Sequence, residues 1–289
     1  GAVPKPLTSE KLAGLMLRLE QEASPRLSGA VAAPAEDIEN AFARSELRLM
    51  YQPKVWIASA VVAGVEALVR WKHPQLGLFP PGAFVPQMEE SDEHSASLND
   101  FAVKEAIACA GRWRKAGKEL KIAVNLSARA FDSLEFPERI EALCLAADVS
   151  SGSLMLEVTE TQVARDAIRM MDVAARLRLK GFSLSVDDFG TGQSGLAQLR
   201  KMPFNEIKID RQFIHGCSSS DSKRSVVEAS LALARSLKMI SVAEGIENQL
   251  DWDLLEELGC DVAQGYFVAR PMSEEGLESW AEQWAQHHV

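Results

Sequence analysis

The chain has 289 residues, of which 31 are basic and 41 acidic, so its formal net charge is −10. Apolar residues make up 47% and charged residues 25%, a globular composition that excludes wholesale disorder. The acidic balance argues against a DNA or RNA polymer as a partner, because that affinity comes from basic patches. A small anionic ligand is compatible with this charge, because one local basic or metal site overrides the net charge.

The apolar runs and the cysteines indicate the compartment. The longest uncharged apolar run, residues 55–65, is too short to cross a bilayer, which takes about 20 residues, so we expect no membrane partner. The cysteines lie far apart without C-x-x-C spacing, which predicts buried thiols in a reducing compartment rather than disulfides or a zinc site. A cytoplasmic location is therefore expected. The four residues are Cys109, Cys144, Cys217 and Cys260.

The first 36 residues separate into two segments. Residues 7–22 predict one short amphipathic helix, with Thr8 as its N-cap. Residues 23–36 are rich in Ala, Ser, Pro and Gly, which is typical of a linker. From residue 37 to residue 289, strand and helix patterns alternate without a break.

Eight strand patterns follow the linker, most of them separated by helical ones, and a last helix is predicted over 273–286. This fits a (β/α)8 barrel, although a doubly wound open sheet has the same alternation. Only residues 58–60 separate the first two strands, whereas parallel neighbours need a crossover of about a dozen residues. We therefore expect an antiparallel hairpin there. The predicted strands are 47–57, 61–71, 120–127, 154–160, 182–189, 206–210, 239–246 and 261–269.

Several predicted strands carry acids toward their C-terminal halves, although strands buried on both faces should be apolar. In a barrel these strand ends form the mouth, where active sites are built. Crowded carboxylates are costly to bury, so either several are protonated or cations lie among them. An oxygen-only donor set with one amide favours Mg²⁺ or Mn²⁺ over zinc. The donors are Glu66, Asn125, Glu157, Asp187, Asp188 and Glu244.

The chemistry of these residues favours a displacement reaction at phosphorus. The adjacent Asp187 and Asp188 can each hold a different metal ion, with one carboxylate bridging, which is the arrangement for in-line displacement at phosphorus. Lys208 is a lone cation among the acids. It is a counter-ion, or it orients the attacking water or stabilises charge on the phosphoryl oxygens, and both roles can hold at once.

Eight short motifs carry these residues in order: YQPKV (51–55), EALVRW (66–71), NLS (125–127), EVTE (157–160), DDFGTG (187–192), KID (208–210), AEGIE (243–247) and QGY (264–266). Together they resemble the EAL-domain family of cyclic di-GMP phosphodiesterases. The resemblance implies a (β/α)8 TIM-type barrel with an antiparallel first strand. It also implies hydrolysis of cyclic di-GMP to linear pGpG in bacterial second-messenger signalling, with two Mg²⁺ or Mn²⁺ ions, by a homodimer. Ca²⁺ is expected to inhibit, because its longer and looser coordination misplaces the nucleophile.

The resemblance assigns a role to each matching residue. The residues that would ligate metal are Glu66, Asn125, Glu157, Asp187, Asp188 and Glu244. Lys208 would position or activate the water, and Glu244 would also act as a base. Substrate would be contacted by Gln52, Arg70 and Gln264, and through the backbone by Leu68. The acids that would support the ligands from behind are Glu160, which anchors the loop after Asp188, Asp210 and Glu247.

The loop after Asp188 departs from the family pattern. The family has Tyr and Ser where this chain has Gln193 and Gly195. In the family this loop links the metal site to the dimer interface, so the departure bears on dimerisation rather than on the metal ligands. The rival hypothesis is a degenerate EAL domain that binds cyclic di-GMP as an effector without cleaving it. No metal ligand is missing and Lys208 is present, which favours the enzyme.

The N-terminus resembles the end of a response-regulator receiver domain, because a Lys-Pro pair that includes Lys5 precedes the amphipathic helix. Residues 1–22 would then be the C-terminal helix of a truncated receiver domain, 23–36 the linker and 37–289 the phosphodiesterase barrel. An upstream histidine kinase would be a partner through the missing part of the receiver. The alternative is an arbitrary start followed by a linker helix.

Overall fold

The computed structural model describes residues 35–165, 167–191 and 199–288. Within these ranges no helix combines the length and the apolarity needed to cross a membrane. The predicted receiver helix over 1–22 and the loop positions Gln193 and Gly195 lie outside the described residues. The first described helix begins at Ala35, within the last two residues of the predicted linker.

The described residues form strands that alternate with helices. The strands are β1 (Leu47–Trp56), β2 (Val62–His73), β3 (Gly77–Phe79), β4 (Ile122–Asn125), β5 (Leu154–Thr159), β6 (Ser183–Phe189), β7 (Glu206–Ile209), β8 (Ile240–Ala243) and β9 (Val262–Ala263). The helices are α1 (Ala35–Ala43), α2 (Val85–Glu89), α3 (Asp92–Lys115), α4 (Phe136–Ala146), α5 (Glu160–Arg165), α6 (Ala167–Leu179), α7 (Arg211–Ile214), α8 (Asp221–Leu237), α9 (Gln249–Glu257) and α10 (Glu274–His288).

The sheet closes on itself, which confirms the predicted barrel and excludes the open doubly wound sheet. Its strand order is β1-β9-β8-β7-β6-β5-β4-β2, and β1 also pairs with β2. The neighbours from β2 and β4 through β8 and β9 are parallel. Strand β1 is antiparallel to both of its neighbours. The hairpin with β2 was predicted from a connection of three residues, and the observed connection, residues 57–61, is also short. Among the strands of the described ranges, the short β3 pairs only with β2 and lies outside the barrel.

Local sequence signals set the ends of the helices around the barrel. Helix α3 begins after Ser91, whose hydroxyl accepts from the backbone N–H of His94. Acidic residues lie in its first turn and basic residues in its last turn, the arrangement that the helix dipole favours. Helix α8 ends at Leu237 and is followed by Lys238, which adopts a left-handed conformation with φ +57°. These signals fix where the chain returns to the sheet.

The alternation of side chains along each strand separates an apolar outer layer from a polar interior. In β5, Leu154, Leu156 and Val158 belong to the main apolar cluster between strands and helices. Glu157 lies on the other face and is fully buried. Burying one such aliphatic side chain contributes about 1.5–3 kcal/mol. The outer layer therefore stabilises the barrel and leaves the inner face free to carry charge.

Several strands, though not β2 or β6, end earlier at the mouth of the barrel than predicted. Strand β8 ends at Ala243, although the pattern predicts residues 239–246. Gly245 adopts a φ of +69°, which carries the chain out of the sheet before the predicted end. Strand β3 is absent from the prediction, because three residues are too few to show an alternating pattern.

Candidate active site

A fully buried lysine lies at the centre of the barrel mouth. Lys208 reaches it from β7, where Ile207 and Ile209 face outward. Its ammonium group contacts carboxylates from four other places in the barrel. The distances from Nζ are 3.3 Å to Glu66, 2.9 Å to Glu157, 3.2 Å to Asp187 and 2.7 Å to Glu244.

Amide side chains complete the surroundings of Glu66. Asn125 Nδ2 donates to Glu66 Oε1 at 2.6 Å, and Gln264 Nε2 donates to Glu66 Oε2 at 2.6 Å. Gln264 also donates to Gln52 Oε1 at 3.2 Å, and Gln52 donates to the carbonyl of Ala269 at 3.0 Å. These bonds join β1, β2, β4 and the segment after β9 at the mouth of the barrel.

The acids form two groups that suit divalent cations. One group contains Glu66, Glu157 and Asp187, and the other Asp187, Asp188 and Glu244, with the ligand atoms of each group within 4.8 Å of one another. Asp187 belongs to both groups and can bridge them. Carboxylate oxygens are the donors that Mg²⁺ and Mn²⁺ prefer. The residues present therefore fit two hard divalent ions.

Burial and neighbouring charges shift the titration of these groups. Burial favours the neutral form of Glu66, but the charge of Lys208 and the amide of Gln264 outweigh it and lower the pKa. Burial raises the pKa of Glu157 to about 8 and that of Asp187 above its usual range. It also raises the pKa of Glu244 well above its usual range. When no metal ion is bound, several of these acids therefore favour the neutral form even with Lys208 beside them.

Lys208 itself is held in the charged form. Burial alone would lower its pKa, but the surrounding carboxylates, Asp187 and Glu157 foremost, raise the pKa well above its usual range. A lysine in this state donates hydrogen bonds and carries positive charge, so it cannot take a proton from water.

The C-terminal end of β6 presents the two adjacent aspartates. Asp188 adopts a left-handed φ of +53°, and its N–H donates to Asp187 Oδ1 at 2.8 Å. The backbone N–H of Gly190 donates to the buried Glu160 at 2.8 Å. Burial and the neighbouring Asp210 raise the pKa of Asp188 to about 6. Glu160 thus contacts the start of the loop that follows Asp188, and Asp210 lies beside Asp188.

The remaining predicted residues lie around this centre at different distances. Leu68 and Arg70 follow Glu66 along β2 at spacings of two, so they share its face. Both are half-buried, and the Arg70 side chain donates to the carbonyl of Val69 at 2.8 Å. Glu247 is exposed, and its carboxylate lies 3.6 Å from Nδ1 of His215. Glu247 lines the same cavity as Glu66 and Glu244.

The sequence analysis did not identify two buried charged residues of the interior, Lys54 and Glu206. Lys54 Nζ lies 3.4 Å from Glu157 and 3.2 Å from Glu206. Burial opposes the charge of Lys54, but Glu206 and Glu157 outweigh it and raise the pKa. Both residues carried a sequence signal, because each is a charged residue of a predicted strand, Lys54 of 47–57 and Glu206 of 206–210.

The fold and the site have counterparts among known proteins. Residues 35–271 match the model of the EAL domain family. The cyclic di-GMP phosphodiesterase PA2567 of Pseudomonas aeruginosa is 39% identical over 232 residues, which are 80% of this chain and 39% of that protein. The solved structure of the Pseudomonas aeruginosa MucR phosphodiesterase with c-di-GMP superposes with a TM-score of 0.80 and 37% identity, over 84% of this chain and 98% of that one.

One relative is similar over almost the whole chain. The cyclic di-GMP phosphodiesterase RocR of Pseudomonas aeruginosa is 31% identical over 278 residues, which are 95% of this chain and 71% of that protein. This similarity reaches into the first 34 residues, which lie outside the family match. Other curated relatives are much longer, and the chain spans 39%, 35% and 30% of three of them. On the family match and this relative, the chain belongs to the EAL domain family.

Proposed function

We propose that this domain hydrolyses cyclic di-GMP to linear pGpG with the help of two Mg²⁺ or Mn²⁺ ions. The observation that carries the proposal is that two clusters of three acids share Asp187, whose carboxylate contacts Lys208. The similarity to proteins named as cyclic di-GMP phosphodiesterases supports the substrate. The ions would be held by Glu66, Asn125, Glu157, Asp187, Asp188 and Glu244. When bound, they would neutralise charge on the phosphate and lower the pKa of the attacking water.

The residues of the chain would bind and orient the substrate. Gln52 and Gln264 contact each other beside Glu66 at the mouth, where they can donate hydrogen bonds to a bound nucleotide. Arg70 offers a planar guanidinium that suits a phosphate. The backbone of Leu68 lies between Glu66 and Arg70 along β2. Holding the phosphodiester in line with the water would supply much of the rate enhancement.

Lys208 and Glu244 would act on the water and on the phosphate. Lys208 is charged and donates hydrogen bonds, so it would orient the water and stabilise negative charge on the phosphoryl oxygens. Glu244 is the most accessible acid of the four around Lys208, with 17% of its side chain exposed, so it would accept the proton of the water. The oxygen of the water ends on phosphorus, and a proton ends on the ribose oxygen that leaves.

The direct test is to incubate the chain with cyclic di-GMP and Mg²⁺ or Mn²⁺ and to resolve the nucleotides by chromatography. We expect pGpG to accumulate, chelator to stop it and Glu66→Ala to abolish it. Glu256→Gln, on the exposed face of α9, is the matched control and should cleave like the wild type. Tight binding without cleavage would favour an effector, and no binding would overturn the proposal.

We further propose that the chain works as a homodimer and that its N-terminal segment comes from a receiver domain controlled by a histidine kinase. The similarity to RocR beyond the family match supports a shared N-terminal segment. Light scattering of the purified chain would test the dimer. A monomer at every concentration and with substrate bound would contradict it.

A further inference from the structure

A second charged pair lies beneath the carboxylates of the site. We call Lys54 and Glu206 the lower pair. Each is 5% exposed, and Lys54 Nζ lies 3.2 Å from Glu206 Oε1. The same Nζ lies 3.4 Å from Oε1 of Glu157, whose other oxygen, Oε2, lies 2.9 Å from Lys208 Nζ. Glu157 is therefore held between two lysines, one on each oxygen.

The sheet register places the lower pair at the level of Glu157. Glu157 of β5 pairs with Ser185 of β6, and Ser185 pairs with Glu206 of β7. Paired residues of parallel strands point to the same side of the sheet, so Glu157 and Glu206 both face the interior. Lys54 crosses the barrel from β1 to reach both. Lys208 follows Glu206 by two residues and lies one level nearer the mouth.

We propose that Lys54 is a positioning residue for the metal site, which it serves by fixing the orientation of the Glu157 carboxylate. A terminal carboxylate rotates over a broad range of χ3, so one hydrogen bond leaves its plane loosely defined. Cations on both oxygens restrict that rotation and keep Oε2 directed at the group formed with Glu66 and Asp187. Partners that orient a metal ligand typically contribute 10- to 100-fold in metal affinity or activity. The inference rests on the proposed function, because it assigns Glu157 to the metal site.

The competing explanation is that Lys54 only compensates the buried charge of Glu206. The two explanations differ in the double variant Lys54→Met/Glu206→Gln. That variant removes the lower pair as a whole, so neither member is left as an unpaired buried charge. The single variant Glu206→Gln is the matched control, because it leaves Lys54 in contact with Glu157.

The test measures Mn²⁺ affinity by calorimetry without nucleotide, and unfolding by urea in EDTA. We expect Lys54→Met to lose stability and to bind Mn²⁺ about 10- to 100-fold more weakly. The double variant should regain stability while its affinity stays about 10- to 100-fold reduced. The control should bind Mn²⁺ like the wild type. If Lys54→Met does not fold, the double variant carries the comparison.

A double variant that binds Mn²⁺ as tightly as the wild type would overturn the proposal, because Lys54 would then serve only Glu206. A wild-type chain that binds Mn²⁺ but leaves cyclic di-GMP intact would contradict the proposed function while the comparison of affinities still decides the role of Lys54. A wild-type chain that binds no Mn²⁺ would overturn both.

Discussion

Replacing Lys208 by methionine tests the charge balance of the barrel mouth directly. The substitution keeps the length of the side chain and removes the charge that four carboxylates share at 2.7–3.3 Å from Nζ. Breaking a buried ion pair typically costs about 3–5 kcal/mol, because the partner charge stays buried without compensation. We therefore expect the free energy of unfolding of Lys208→Met in EDTA to lie about 3–5 kcal/mol below that of the wild type.

Urea unfolding with and without Mg²⁺ is the assay. Saturating Mg²⁺ should recover most of the loss, because an ion that binds only the native state stabilises it and supplies charge to the same carboxylates. Turnover of cyclic di-GMP should remain about 10²- to 10³-fold lower, since the donor to the phosphoryl oxygens is gone. Lys104→Met is the control, because Lys104 is exposed and pairs with Asp100 at 3.5 Å. That pair is worth about 0.3–0.5 kcal/mol.

A Lys208→Met variant that is as stable as the wild type in EDTA would refute this reasoning. It would mean that the four carboxylates are neutral in the folded chain and that Lys208 contributes no net stabilisation by compensating them. An equal loss in Lys104→Met would refute it as well, because the effect would then not belong to the buried site.

Three further predictions concern a buried carboxylate, the metal ion and a glycine with a positive φ. Burial opposes the ionisation of Asp251, but backbone and hydroxyl donors, those of Ser218 foremost, outweigh it and lower the pKa to about 2. Asp251→Asn should therefore cost about 2 kcal/mol at pH 7. The stabilisation by Asp251 is complete above pH ~4 and is lost as the pH falls toward 2, so a difference in urea unfolding that persists at low pH would contradict it. Ca²⁺ should support binding of cyclic di-GMP in calorimetry but no cleavage in chromatography, and turnover with Ca²⁺ alone would be the contrary result. Gly245→Ala should destabilise the chain by roughly 1–3 kcal/mol more than Gly82→Ala in urea unfolding. Gly245 has a φ of +69° and an added Cβ would lie 2.5 Å from Cβ of Arg211, whereas Gly82 faces open space; equal effects would contradict the strain.

The order of elements and the inward-facing donors followed from local pattern. Period-two alternation separates Lys208 from Ile207 in the sequence, and the structure separates them in the same way, with Ile207 in the apolar layer. The short predicted connection, residues 58–60, predicted the antiparallel hairpin, because parallel neighbours need a much longer crossover. The resemblance supplied the roles, and the structure brings Glu66, Glu157 and Glu244 to one ammonium group.

Contacts between residues far apart in the chain could not be predicted from local sequence patterns. Which oxygen of Glu157 meets which lysine depends on the closure of the barrel, since Lys54 and Glu157 are 103 residues apart in the chain. The end of β8 was also predicted too late, because the departure of the chain at Gly245 depends on its close approach to Arg211 of α7. Neither feature leaves a trace in a window of neighbouring residues.

The direction of β1 explains why Lys54 was overlooked while the charges nearer the mouth were found. In the parallel strands, later residues lie nearer the mouth, so Lys208 lies above Glu206. Strand β1 runs the other way, with Gln52 opposite Glu66 and Lys54 opposite Gly64. A search for polar residues toward the C-terminal ends of strands looks for residues at the mouth of the barrel. In β1 the later residue lies deeper, so this search does not place Lys54 beneath the carboxylates, where the structure has it. The antiparallel strand thus brings a cation beneath the carboxylates, at a depth where β7 supplies Glu206 and β5 the lower oxygen of Glu157.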